Sequence, residues 1–491
     1  MSTTSCESSS PIHQMFSHII KIDNKPEDLN TSERCIYRVP GSLRGVNEKA
    51  YTPQVISIGP LHFGDKNLNP MQLRKQRYFC DFWDRVKNEE AMKAYKKYLE
   101  AEEEAIRHCY ADKFSSFVTE ENFVEVILLD SVFIVELFLM MRKPEVHHKD
   151  DIILKQTWLN KGIQRDLLLL ENQIPLFILD RLYTTVVPDS DKHGKFTELA
   201  YDYFKCFHPY KKSKSDYDEV EKPNGNPKLF SKPKSCNSSV QFQEEGSYRY
   251  GLAERNWESA PKHFTDLMRY FYIYDNLTQR EKGVPSNVLR TATKLRESGV
   301  SFEKMLDKNL LDINFVKEPI LSWFLCLGCI PKFTCFKARL QIPQLKIDNT
   351  TECVLRNLIA FEQCHYADEP YMCNYVSFID SLIHTKDDVE LLVEKEVIVH
   401  ELGSDKEVAT LVNSLCKHVV ADQTCYKDII NDLNGHYQRV WNRTMASLRL
   451  VYFRDTWRAS STLVGIAVLV FTIFNFCRVV RLVLDLDQRR P

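Results

Sequence analysis

Glycine is scarce in this chain, with 15 among 491 residues, and no motif gathers the glycines into a phosphate or dinucleotide loop. There is no GxSxG elbow, no P-loop and no HExxH pair either, so the usual signatures of acyl hydrolysis, phosphoryl transfer and zinc proteolysis are missing. Neither sign of charge is in excess. The 65 Lys and Arg set against 67 Asp and Glu leave a net charge of -2, which supplies no general attraction to nucleic acid or to an anionic bilayer surface. Nucleic acid is therefore not an expected partner. The first thirty-odd residues lack a long apolar run, Ile19-Ile20 being typical of what they contain, whereas a secretory signal needs a core of about 7–15 apolar residues. This stretch, 1–33, reads as a polar tail expected to be disordered.

A disulfide framework is absent as well. Cysteine occurs 15 times, an odd number at irregular spacing, which fits reduced thiols better than the stapling of a small secreted domain. The close pair Cys326 and Cys329, with Cys335 following, has half the spacing of a zinc site. No second CxxC or CxxH follows it, and it adjoins the apolar run Ile320 to Leu325, where cysteine serves as a small hydrophobe. No metal and no cofactor are expected.

What the chain does have is apolar content, 44% of its residues, enough for one large core. From Ala459 to Cys477, ASSTLVGIAVLVFTIFNFC, no charged residue occurs. As a helix this stretch is about 28 Å long, close to the ~30 Å hydrocarbon thickness of a bilayer. Arg454 and Arg458 precede it, Arg478 and Arg481 follow it, and Phe453 and Trp457 stand at the expected interface. The pattern predicts a transmembrane helix over 459–477 and a short tail over 478–491. Within it Ser461 and Gly465 form a small-xxx-small pair on which another helix could pack, in a homo- or hetero-oligomer.

The rest predicts a mainly α, multi-helix globular domain over 34–445, with a small β-sheet in its C-terminal half. Cys35 to Gly64 contains three prolines and four glycines and is expected to wrap the fold as an extended segment. Met71 to about His108 shows helical spacing of Phe79, Phe82, Val86 and Met92 amid dense charge. Thr119-Glu120-Glu121 reads as a helix start that opens ENFVEVILLDSVFIVELFLMM. That run is nearly as apolar as the last helix, but Glu125, Asp130 and Glu136 would each cost about 2.5–3.5 kcal/mol at mid-bilayer, so it belongs to the core of the domain. From Asp151 a helix is expected to direct Leu154, Trp158 and Ile163 inward. Residues 209–246, rich in Lys, Ser, Pro and Asn, read as a flexible insertion. Helices are expected again at Phe264 to Asn276, Val288 to Ser298 and Glu352 to Glu362, and from about Tyr375 to the membrane. The alternation of Leu311, Ile313 and Phe315, then Leu340 with Ile342 and Leu345 with Ile347, predicts short strands.

Two sets of residues invite a functional reading. In DLLLLENQIPLFIL, Asp166 to Leu179, the polar run Glu171-Asn172-Gln173 interrupts apolar sequence just before Pro175. Proline has no N–H to give a helix, so the ladder must break nearby. Asn172 is expected to cap the next helix with Pro175 in its first turn, while Glu171 and Gln173 satisfy backbone groups at the break. The carboxylates Glu125, Asp130 and Glu136 are the second set. Lining a pocket they would suit acid–base chemistry, whereas paired with Arg between helices they would be structural.

IYRVP at Ile36, YTPQVISIGPLHFG at Tyr51, MQLRKQRY at Met71, FVEVILLDSVFIVELF at Phe123, DLLLLENQIPLFIL and LRNLIAFEQC at Leu355 follow one another here in an order and spacing that resemble the plant proteins of domain of unknown function 247. The resemblance extends over nearly the whole chain. It implies a plant source, a largely helical fold and a single membrane pass, in the plasma membrane or an endomembrane. Some grass members are linked to pollen and stigma self-incompatibility, but no motif assigns this chain to that branch. No catalytic residue carries over. The expected function is that of a membrane-anchored interaction or recognition protein with an unknown protein partner, the alternative being an enzyme that uses the buried carboxylates. The large domain is expected to face the cytosol, given the tail without a signal core and the odd cysteine count. Sequons at Asn30, Asn237, Asn276, Asn349 and Asn442 make that expectation testable.

Overall fold

Helices dominate because apolar residues recur at intervals of three and four along most of the chain. The computed structural model describes residues 33–142, 151–187, 194–207, 261–273, 277, 279–306, 308–319, 336–452 and 456–487. The polar tail apart from Glu33, the insertion at 209–246, the Cys326, Cys329 and Cys335 run, and the sequons at Asn30, Asn237 and Asn276 lie outside the described residues.

Helix α1 (Asn69–Val86) buries Met71, Lys75, Tyr78, Phe82 and Val86, one stripe on one face. It ends where Lys87 takes a left-handed conformation, φ 50°. Asn88 then caps α2 (Glu89–Ala101), its side chain accepting from Ala91 N, with Glu89 and Glu90 at the positive end of the helix dipole. After α3 (Glu103–His108) comes α4 (Phe123–Arg142), the central helix. It starts later than the sequence suggests: Thr119 and Asn122 exchange hydrogen bonds, each side chain accepting from the other's N–H, and the helix follows. Helices α1, α2, α6 (Leu176–Val186) and α7 (Phe196–Phe204) all pack on α4, burying nearly its whole circumference. Phe138 of α4 lies in a nest of rings formed by Phe196, Tyr203, Phe204 and Phe264.

Helix α5 (Thr157–Asp166) precedes the break and is separated at Gln156 from a single turn, Ile152–Lys155. Ile153, Leu159 and Ile163 form its inward stripe, and Trp158 stands 68% exposed. Leu154, half-buried, packs against the core as expected, whereas the expected inward face of Trp158 is corrected: the interruption at Gln156 rotates the register between the two pieces.

In the second half, α8 (Phe264–Tyr272) packs on α10 (Thr351–His365), and α10 packs on α11 (Tyr371–Leu382) and α13 (Asp405–Leu415). Helix α9 (Ala292–Glu297) leads into β1 (Val300–Met305). Strands β1, β2 (Asn314–Pro319) and β3 (Phe336–Pro343) form a sheet in the order β1-β3-β2. Phe302 pairs with Leu340 in parallel and Phe315 pairs with Leu340 antiparallel. A second, two-stranded sheet joins β4 (Leu345–Ile347) to β5 (Ile398–His400) in parallel. Among the described residues there are thus two small sheets where one is expected, and β5 interrupts the helical stretch after Tyr375, between α12 (Lys386–Glu394) and α13. Helices α14 (Lys427–Gln438) and α15 (Val440–Tyr452) lead to α16 (Thr456–Asp487), which continues past Cys477. One core cluster of buried residues draws members from Cys35 through Leu433.

Candidate functional site

The break after α5 is built from its own backbone first. Leu168 N–H donates to Arg165 O (3.0 Å), Leu169 to Asp166 O (3.3 Å) and Asn172 to Leu169 O (3.0 Å), so the chain turns tightly through four buried leucines. Pro175, extended at φ -56° and ψ 133°, occupies the cap position of α6 itself. Asn172 does not cap that helix, contrary to expectation. The first N–H of α6, on Leu176, donates instead to Lys262 O at 2.7 Å, a partner supplied by a distant segment.

Each polar side chain of the break holds a different piece of backbone. Gln173 donates through Nε2 to Leu167 O (2.6 Å) and Leu169 O (2.7 Å), two carbonyls just past the end of α5. Its Oε1 accepts from Phe264 N (3.0 Å), the first residue of α8, so one amide joins a helix end to a helix start. Asn172 accepts from Ile58 N (2.7 Å) and donates to Ile56 O (3.0 Å) and Asp166 O (2.9 Å). Glu171 accepts from Val39 N (2.6 Å), pairs with Arg44, and faces His62 Nε2 at 3.1 Å and Arg38 at 3.8 Å. Burial pushes the Glu171 carboxyl up, but hydrogen bonds from His62, Val39 and Arg44 outweigh it and hold the group below the usual range.

Most of these contacts reach the segment 35–64, which lies over the break as a strap. Two further acids complete its fastening. Asp166 Oδ2 accepts from three successive N–H groups, Gln54 (2.9 Å), Val55 (2.6 Å) and Ile56 (3.0 Å), while Arg165 holds Oδ1 at 2.7 Å. Asp130 of α4 accepts from Gly59 N (2.9 Å) and pairs with the buried Lys75, which also donates to Ser57 O. Burial raises the pKa of Asp166 and of Asp130 and lowers that of Lys75, in each case against the pull of the opposite charge. Gly59 has φ +71°, and a Cβ there would overlap the Gln173 carbonyl oxygen, so only glycine lets strap and break approach this closely. Tyr110 closes the same corner, its hydroxyl donating to Gln173 O at 3.0 Å.

A second buried network anchors α10. Arg269 pairs with Glu362 at 2.9 Å, stacks over the Tyr366 ring at 3.8 Å and donates to Glu369 O at 2.7 Å. The other Glu362 oxygen accepts from Cys373 N at 2.9 Å. Burial raises the Glu362 pKa in spite of Arg269. Asn357, on the same helix, ties the two networks together: it accepts from Leu170 N (3.0 Å) in the break and donates to Ala50 O (2.8 Å) in the strap.

The three acids of α4 do not converge. Glu125 is exposed, Asp130 is held by Lys75 and Gly59, and Glu136 is paired with Arg85. Among the described residues no three His, Cys, Asp or Glu side chains come together in a way that could hold a metal ion. What the polar groups do is chemically plain: they fix three layers of backbone to one another. Asp166, Asn357, Arg269 and Glu362 belong to this machinery, and sequence reasoning passes over them. Asp166, Asn357 and Glu362 lie within the quoted motifs and Arg269 in the helix expected from Phe264, where a polar residue on a face otherwise closed to water is the available signal.

At the other end, Ser461 and Gly465 lie on α16. A Cβ added at Gly465 would meet nothing within 4 Å. Ser460–Arg481 is a 22-residue stretch long and apolar enough to cross a membrane, and none of its most apolar window is buried against the domain. Val464, Phe471, Phe474 and Phe476 all stand out from the protein.

The chain matches the DUF247 family model, described as plant protein of unknown function, over residues 36–471. Two Arabidopsis thaliana proteins resemble it along most of their length. The UPF0481 protein At3g47200 is 27% identical over 472 residues, covering 90% of this chain and 85% of that protein. The putative UPF0481 protein At3g02645 is 24% identical over 514 residues, covering 90% and 89%. No solved structure matches the chain.

Proposed function

The chain belongs to the plant DUF247 family of proteins of unknown function, and on that premise we propose that it is a single-pass membrane protein whose helical domain acts as an interaction or recognition module. The observation that carries the proposal is the contrast between two apolar helices. Helix α4 is wrapped by its neighbours, whereas the apolar window of α16 is wholly unburied within the fold. Its 22 residues make a helix of about 33 Å, enough for a bilayer of ~30 Å, and the solvent that accepts four exposed aromatic or branched residues on one such rod is lipid. Ser461 and Gly465 give it a narrow side against which a helix from a second copy or another membrane protein can pack.

Five buried acids support an interaction role over catalysis, because Asp130, Glu136, Asp166, Glu171 and Glu362 are each engaged by a cation. We place the domain on the cytosolic side of the plasma membrane or an endomembrane, a reading supported by the odd number of cysteines, 15. Proximity labelling from the full chain in plant membranes tests the module. A reproducible set of protein neighbours, lost when the domain is replaced by an unrelated one on the same anchor, supports it. A neighbour set identical to that of the bare anchor contradicts it. Endoglycosidase treatment tests the placement, since a mass shift abolished by Asn349→Gln would put the domain outside.

A further inference from the structure

The strap begins at a seam between two cysteines. Cys35 N and Ile36 N both donate to Cys109 O at 2.9 Å, and Ala111 N returns a bond to Ile36 O at 2.9 Å, which makes Ile36 and Tyr110 a parallel bridge pair. Cys35 and Cys109 are the next pair in that register, on the same side of the two chains. Paired strands lie about 4.8 Å apart, inside the roughly 4.4–6.8 Å between Cα atoms that a disulfide spans. The Cys109 thiol donates to Ala105 O at 3.4 Å. Both cysteines are buried, and both are thiols in the structure. At this end the backbone seam is joined by His263, which donates to Cys35 O at 2.9 Å, whereas farther along Glu171, Asp166, Asn172 and Asp130 fasten the strap with their carboxylates and amide.

We propose that Cys35 and Cys109 form a redox-sensitive latch, a dithiol that closes to a disulfide and covalently locks the start of the strap onto the end of α3. The oxidant is glutathione disulfide. One cysteine thiolate attacks it and releases a first glutathione thiol, and the second cysteine displaces the other. The two protein thiols give up two electrons and two protons, and the products are one protein disulfide and two glutathione thiols. Cys109 is the better first nucleophile: the neighbouring Cys35 lowers its pKa, while the Cys35 thiol is pushed up by Cys109 and by burial. In a reducing compartment the latch stays open, and a transient disulfide of this kind reports a change of redox poise.

The test uses the full chain in detergent micelles, with mild urea added until an alkylating reagent modifies both cysteines to completion in an unoxidised control. Incubation in glutathione disulfide at that urea concentration, followed by alkylation and peptide mapping, should then yield a linked Cys35–Cys109 peptide. After removal of urea the midpoint of thermal unfolding should rise by about 5 °C and return on treatment with a dithiol, because closing so long a loop restricts the unfolded chain. Cys35→Ser and Cys109→Ser should show neither effect. If a serine variant fails to fold, the wild-type peptide map and the dithiol reversal decide alone. Absence of the linked peptide, linkage of either cysteine to a third one, or a linked form with an unshifted midpoint would each overturn the latch.

Discussion

Replacing Glu171 by alanine is the sharpest perturbation of the strap. The substitution removes the acceptor of a buried N–H, that of Val39 at 2.6 Å, and an orphaned buried donor costs about 1–3 kcal/mol. It also strips a counter-charge from Arg44 and Arg38, but their side chains are 26% and 39% exposed and can turn to water, so that loss is discounted to about 0–1 kcal/mol. The expected total is about 1–4 kcal/mol. Glu171→Gln keeps an acceptor and should cost roughly half as much. The assay is urea unfolding of the full chain in micelles, read as a shift in midpoint at constant slope. Because the folded-state pKa of Glu171 is lowered, its contribution is present above the unfolded carboxyl value of about 4.3 and is lost as pH falls through the folded value. The gap between wild type and Glu171→Gln should therefore narrow below about pH 4. An unchanged midpoint for Glu171→Ala at pH 7 would refute the fastening role, and a stable Glu171→Gln protein that had lost a measurable activity would move the residue into chemistry.

Other changes follow from the same geometry. Gly59→Ala should destabilise by more than about 2 kcal/mol, since both its positive φ and the overlap with the Gln173 carbonyl oppose a side chain; near wild-type stability in urea would mean the strap yields there. His263, buried and donating through Nε2 to Cys35 O at 2.9 Å, has its pKa pushed down to about 3 by burial, against about 6.5 unfolded. Protonation thus favours the unfolded state, and stability attributable to this group is full above about pH 6.5 and declines as pH falls toward 3, by up to about 1.4 kcal/mol per pH unit. Buried Asp130, Asp166, Asp266 and Glu362, with raised values, contribute the opposite slope, so the readout is the difference between wild type and His263→Gln, which should shrink on acidification; a difference independent of pH would contradict the assignment. Arg269→Ala should cost about 3–5 kcal/mol by leaving Glu362 buried and unpaired, and Glu362→Gln in the same chain should recover part of that; failure of the second change to help would show that Glu362 is not charged in the fold.

The fold was legible where local pattern decides structure. The stripe through α1 and α2, the acids that keep α4 out of the membrane class, and the break forced by Pro175 all follow from residues within a few positions of one another. The roles of Asn172 and Glu171 do not, because their backbone partners Ile58 and Val39 lie 114 and 132 residues away, and no local spacing encodes such a pairing. Pro175 took the cap position for the same reason: the donor it exposes on Leu176 is satisfied by Lys262, which leaves Asn172 free for the strap. Strands β1 and β5 escaped reading on other grounds. VSFEKM puts two charges among its last three residues, and IVH is only three residues long, so each is a strand by virtue of its partner, β3 or β4, rather than its own pattern. Trp158 shows the converse, an aromatic at inward spacing that a one-residue interruption turns outward.

Membrane attachment through α16 is tested most directly by alkaline carbonate extraction of membranes carrying either the full chain or a chain ending before Ala459. The full chain should stay in the pellet under carbonate and dissolve only in detergent, while the shortened chain should appear in the supernatant, folded by its urea midpoint. A shortened chain that still resists carbonate, or a full chain released by it, would contradict the anchor and with it the proposal of a membrane-held recognition domain.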